Sequence, residues 1–129
     1  MPEQPAKRKP LVMSIIELGG YPDFSRLYRD LGYDVVVMPS MRKATRELKA
    51  RKVDVIVAEF NFQSDFRDRT SQLETLMASI AQQPDIRVVV LYDQEQAVQF
   101  ERFAYRSRIH RSLTYPIDQA ALREALQSA

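Results

Sequence analysis

The sequence contains no cysteine, which excludes disulfides, thiolate catalysis and Cys-ligated zinc and makes a cytosolic protein the simplest fit. Histidine occurs once, at His110. That leaves no second imidazole for a metal site and no evident Ser or Cys partner for nucleophilic catalysis, so a structural or surface role is expected of it. Glycine is scarce: there are three, and the pair Gly19-Gly20 ahead of Pro22 fits neither G-x-G-x-x-G nor a loop ending in Lys-Ser/Thr. A nucleotide phosphate loop of those kinds is discounted. The apolar stretch that follows MPEQPAKRKP is only about six residues long, too short for a signal-peptide core or a membrane span. A dominant charge is missing too, since 19 Lys and Arg against 17 Asp and Glu leave a net +2. Nucleic-acid binding is therefore not implied.

What is present suits one compact domain. The chain has 129 residues, 45% of them apolar, enough for one hydrophobic core and short for two. Residues 1–9 are rich in proline and basic side chains and are expected to form a disordered lead-in, with the domain over 10–129.

Apolar runs and turn signals alternate along the chain. LVMSIIEL (11–18) ends at Gly19-Gly20 and reads as a buried strand. Phe24, Leu27, Tyr28 and Leu31 then recur at helical spacing, with Gly32 as a natural C-terminal stop. YDVVVM (33–38) is a second strand closed by Pro39, and Ser40 is placed to cap a helix over MRKATRELKARK. VDVIVAEF (53–60) is apolar on both faces, as the central strand of a covered sheet should be. NFQSDFRDRT (61–70) reads as an irregular loop, and a helix follows over 71–83 on Leu73, Leu76, Met77 and Ile80. IRVVVLY (86–92), a helix over 94–105, a weaker strand over 109–114, and a short helix opened by Asp118 complete the series. Five strands alternating with five helices give an α/β, doubly wound parallel sheet. In such a sheet the functional crevice lies at the carboxyl ends of the strands, which singles out Glu17, Glu59, Asn61, Tyr92, Asp93, Thr114 and Tyr115.

Those strand ends carry a resemblance. Glu17-Leu18 closes the first strand, Glu59 the third, with Asp54 five residues before it, Tyr92 the fourth, and Tyr115-Pro116 the fifth. In order and spacing the chain resembles the receiver domains of two-component response regulators over roughly residues 9 to 128. The resemblance implies a flavodoxin-like, CheY-like sheet in the order 2-1-3-4-5 and a cis peptide before Pro116. It also implies a pocket in which the family uses an acidic pair, a phospho-accepting Asp, a small hydroxyl residue and a Lys.

Set against that pattern, the pocket is degenerate. Leu18 stands where the family has the closer metal-ligating carboxylate, and a leucine has no oxygen to offer Mg²⁺. Tyr115 stands in the place of the Lys, and a phenol at neutral pH does not neutralise a phosphoryl charge. Tyr92 replaces the small hydroxyl residue, its ring either filling the pocket or pointing outward, and Ser112 occupies the place of the aromatic switch residue. Glu59 is one methylene longer than the family's Asp. It either mimics the phosphorylated state or is a tolerated carboxylate in a disused pocket, paired with Lys43 or a loop arginine. The expectation is a pseudo-receiver without phosphotransfer, not an enzyme and without cofactor or metal.

Other clusters have bland readings. Asp65 and Asp68 with Arg67 and Arg69 suit a self-compensating solvated loop, with a paired-carboxylate enzyme as the other reading. The basic run Lys43, Arg46, Lys49, Arg51 and Lys52, interrupted by Glu47 and Asp54, suits a solvated helix face, with an acidic partner or RNA as the other reading. The segment FERFAYRSRIHR combines Phe100, Phe103 and Tyr105 with Arg102, Arg106, Arg108 and Arg111, the residue types enriched at interface hot spots. In receivers this region commonly docks partners, so it is the first candidate interaction face. Core aromatics beside solvated arginines are the other reading. The functional expectation is a stand-alone bacterial, cytoplasmic signalling module acting through a protein partner or as a homodimer, without nucleic acid or membrane. Two alternatives stay open. One is a receiver still phosphorylated on an acidic residue; the other is a small-molecule or nucleotide second-messenger module with Arg42, Arg67 and Arg69 as anion contacts.

Overall fold

The computed structural model describes residues 9–16, 23–60, 72–105 and 107–127. Five parallel strands form one sheet in the order 2-1-3-4-5: β1 (Leu11–Ile15), β2 (Asp34–Met38), β3 (Val55–Glu59), β4 (Arg87–Tyr92) and β5 (Arg111–Thr114). The helices are α1 (Ser25–Asp30), α2 (Met41–Leu48), α3 (Gln72–Ser79), α4 (Ala97–Tyr105) and α5 (Gln119–Gln127). Fold class and strand order are those expected from the sequence. Residues 1–8 of the expected lead-in, and the expected loop 61–70, lie outside the described residues.

The period of two along each strand sorts the core into two layers. Met13 of β1, Ile56 and Ala58 of β3, and Val88 and Val90 of β4 face Ala44 of α2, Leu76 of α3, and Phe100 and Phe103 of α4. Their strand neighbours Val12, Val55, Val57, Val89 and Leu91 face the other way, onto Leu27 and Tyr28 of α1 and Leu122 and Leu126 of α5. Each such side chain taken out of water contributes about 1.5–3 kcal/mol before entropy is charged against it. The continuous apolar runs of β3 and β4 follow from this two-sided cover.

Local signals set the helix ends. The Ser40 hydroxyl accepts from the Lys43 backbone N–H at 3.1 Å, satisfying one of the orphan donors of α2. Gly32 adopts φ +98°, where a side chain would be strained. Through it the Gly32 N–H reaches the Arg29 carbonyl and the Tyr33 N–H the Tyr28 carbonyl, a Schellman stop for α1. Two helices end sooner than their periodicity suggests: α2 at Leu48 instead of residue 52, and α3 at Ser79 instead of residue 83. Past both ends the backbone tightens into three-residue turns, with the Lys49 N–H donating to the Arg46 carbonyl and the Ile80 N–H to the Met77 carbonyl. Residues 94–96 form a 3₁₀ turn, with Asp93 accepting from the Glu95 N–H, before α4 proper begins.

Polar clasps fasten the N-terminal ends of the strands. Asp54 Oδ2 accepts from the Leu11 N–H at 2.8 Å, joining the entries of β3 and β1. The Tyr33 hydroxyl donates to the Leu126 carbonyl at 2.9 Å, and Arg87 donates both to that carbonyl and to the Tyr33 oxygen, each at 3.1 Å. One of the end carbonyls of α5 is thereby satisfied. No helix among the described residues is long and apolar enough to cross a membrane.

Candidate functional site

At the carboxyl end of β3 the alternation that sends Val55 and Val57 to the α1/α5 layer sends Glu59 there too, while Phe60 joins the opposite layer. Glu59 is only 3% exposed, the single buried residue of its charged kind among those described. A carboxyl group drawn from water in this way is held only where other groups answer it. It lines a small crevice with Ser14 of β1, Phe24 just before α1, Tyr28 within α1, Leu91 of β4 and Tyr115 beyond β5. The space is about 10 Å³, near the lower bound for one water. Glu59 Oε1 and the Tyr115 hydroxyl are both cut off from solvent.

Neighbouring elements fix these side chains. Tyr115 follows β5, its N–H donating to the Tyr92 carbonyl at 3.0 Å, and the peptide to Pro116 is cis, as the resemblance implies. Its ring packs on the α1/α5 layer beside Leu113 and Ile117. On the facing wall, Asp23 Oδ1 accepts from both the backbone N–H and the hydroxyl of Ser25, at 2.9 and 2.6 Å, and so fixes the entry to α1. Burial pushes the Tyr28 phenol well above the ordinary tyrosine range, and the Asp23 carboxylate adds to the shift. Tyr28 is thus a neutral wall of the crevice at any physiological pH.

Of the positions singled out at the strand ends, Glu59 and Tyr115 come together, whereas Glu17, Leu18 and Asn61 lie outside the described residues. Tyr92 neither fills this crevice nor points into solvent. The β4 period turns it onto the other layer, where it stacks on Phe100 with ring centroids 4.1 Å apart and planes 14° from parallel. Lys43 is exposed on α2, on the side of the sheet away from Glu59, so it is not the partner considered for that carboxylate. Phe24 and Tyr28 are wall residues that sequence reasoning treated only as helix core. Their spacing is the same for both roles, and only the depth of the crevice separates them.

The candidate face on α4 divides along its own helical period. Phe100 and Phe103 are core residues, 4% and 3% exposed, and pack on Phe60 with centroids 5.4 and 5.5 Å away. They are withdrawn from the proposed surface, because an i, i+3 aromatic pair on an amphipathic helix is the part that faces the sheet. Arg102, Arg108 and Arg111 are exposed, Tyr105 is 92% exposed and Val98 60%, while Arg106 lies outside the described residues. Beside them a recess of about 380 Å³ runs between α4 and β5, lined by Ala104, Ile109, His110 and Ser112 among others. His110 is half-buried there, with its N–H donating to the Val88 carbonyl.

No protein-family model matches the chain, and no curated protein matches it in sequence. Solved structures match it in shape. The chemotaxis protein CheY4 of Vibrio cholerae superposes with a TM-score of 0.72 at 18% identity, covering 93% of this chain and 98% of that one. A response-regulator receiver domain protein from Clostridium thermocellum gives 0.71 at 15% identity, covering 91% and 90%. The signal receiver domain of an HD domain-containing protein from Pseudomonas fluorescens Pf-5 gives 0.70 at 22% identity, covering 93% of each chain. At these identities the likeness establishes the fold, with receiver domains as its structural neighbours.

Proposed function

We propose that this chain is a receiver-like interaction module of two-component-type signalling that works without accepting a phosphoryl group. The observation that carries the reading is the seat of Glu59: 3% exposed, at the receiver phosphoacceptor position, in a crevice of about 10 Å³. A phosphoryl group brings a phosphorus and three oxygens, more than a space suited to one water admits. Tyr115 supports the same reading. It stands where receivers place a cation and sets a neutral ring against the crevice, so a new dianionic charge finds no compensation from that position.

An interaction role needs a surface, and α4 offers one. Val98, Arg102 and Tyr105 follow the i, i+4, i+7 spacing of one exposed helix face. An exposed tyrosine flanked by arginines, next to a recess, has the composition of an interface anchor. The partner contact is assigned to this face together with Arg108 and Arg111.

Intact-mass spectrometry after incubation with acetyl phosphate and Mg²⁺ tests the reading. The natural chain is expected to gain no phosphoryl group, while a Glu59→Asp, Leu18→Asp, Tyr115→Lys variant gains one. One phosphoryl on the natural chain overturns the proposal and restores a phosphorylation-controlled regulator.

A further inference from the structure

The charge of this chain is unevenly spread. Residues 41–52 hold six of the nineteen cations and one of the seventeen acids, which leaves thirteen cations against sixteen acids elsewhere. A molecule with a net +2 thus concentrates its positive charge on α2 and the turn after it, with a mildly acidic remainder. Arg42, Lys43, Arg46 and Lys49 are all exposed, while Met41, Ala44 and Leu48 are buried on the opposite side. Arg42, Arg46 and Lys49 stand at i, i+4 and i+7, a single row over about 10 Å of helix. The one acid in the segment, Glu47, does not neutralise this row: its Oε2 pairs with Arg51 Nε at 2.7 Å, on the flank of the helix. Next to Arg42, α2 and α3 leave a recess of about 280 Å³ lined by Met41, Thr45 and Thr75.

We infer that the outer face of α2 docks an acidic helical segment of a partner protein, whose carboxylates meet Arg42, Arg46 and Lys49 in register. Like-charged side chains in one row repel, and an opposing row of carboxylates at the same helical spacing relieves that repulsion. Arginine suits the role because its planar fork grips a carboxylate through two N–H groups. The recess beside Arg42 accepts a side chain of the partner, with Thr75 and Thr45 on its wall. Membranes and nucleic acid fit less well. No large apolar side chain stands exposed among the cations to enter a bilayer, and no aromatic one stands there to stack on bases. This face shares no residue with the α4 surface, so the two assignments succeed or fail separately.

The test uses the full chain and a synthetic helical peptide with Glu at i, i+4 and i+7, its Gln-substituted control, a short DNA duplex and phosphatidylserine vesicles, compared by titration. The acidic peptide is expected to bind, more weakly at high salt, and the Arg42→Glu, Arg46→Glu, Lys49→Glu variant is expected to lose affinity about tenfold or more. These are exposed positions, and an unchanged melting curve confirms that the variant is folded. Failure to bind the peptide, equal binding of the Gln control, or indifference to charge reversal overturns the proposal. Tighter binding to the duplex or the vesicles, or self-association that the reversal abolishes, overturns it in favour of a phosphate polyanion or a second copy of the chain.

Discussion

Tyr92 lies flat on Phe100, and Phe100 meets Phe60 edge-on with centroids 5.4 Å apart, so three rings tie the start of α4 to the ends of β3 and β4. The residue at the end of β4 is therefore a fastening for the helix. Replacing Tyr92 by Thr removes the stack and is expected to lower the unfolding free energy by about 1.5–3 kcal/mol. Tyr92→Phe keeps the ring and is expected to stay within about 0.5 kcal/mol of the natural chain in urea denaturation.

A second fastening sits at the other end of the sheet. Tyr33→Phe deletes the hydroxyl that donates to Leu126 and accepts from Arg87, with an expected cost of about 0.5–1.5 kcal/mol. Because both side chains reach one carbonyl, Tyr33→Phe and Arg87→Met are expected to be non-additive in a double-mutant cycle, by about 0.5 kcal/mol or more.

Tyr28 makes stability fall in alkali. Its phenol titrates well above the ordinary value in the folded chain, so above about pH 10 the unfolded chain releases this proton while the folded chain keeps it. The folded state then binds more protons, and the unfolding free energy decreases with rising pH. The urea midpoint is expected to drop above pH 10, and Tyr28→Phe is expected to reduce that drop.

Tyr105, 92% exposed, carries almost no folding energy. Tyr105→Ala is expected to leave the unfolding free energy unchanged within about 0.5 kcal/mol. Loss of binding to a purified partner with unchanged melting would assign Tyr105 to the interface, and unchanged binding would remove it.

Periodicity and turn chemistry made most of the architecture legible. The runs from Val55 to Glu59 and from Arg87 to Tyr92 read as buried strands, and Ser40, Gly32 and Asp118 read as helix boundaries. Side-chain destinations at the site were less legible. Phe100 and Tyr105 lie in one aromatic-rich segment, but five residues is 500° of helix, so one faces the sheet and the other water. Tyr92 and Glu59 end adjacent strands, yet their side chains leave the sheet on opposite faces. The clasp between Arg87 and Leu126 had one signal, a lone arginine opening an otherwise apolar strand. Its partner lies 39 residues away, beyond any local pattern.

The two apolar layers share the sheet between them: Val12 serves one and Met13 the other, and the same holds for Val55 and Ile56 and for Val89 and Val90. Stripping the helices from one side would bare strands whose opposite side chains are still packed, while the strands lost support on the stripped side. Half-melted forms therefore gain chain entropy at the cost of wetting one whole wall of valine and isoleucine. Such a molecule is expected to open as a single cooperative unit through β1 and β3.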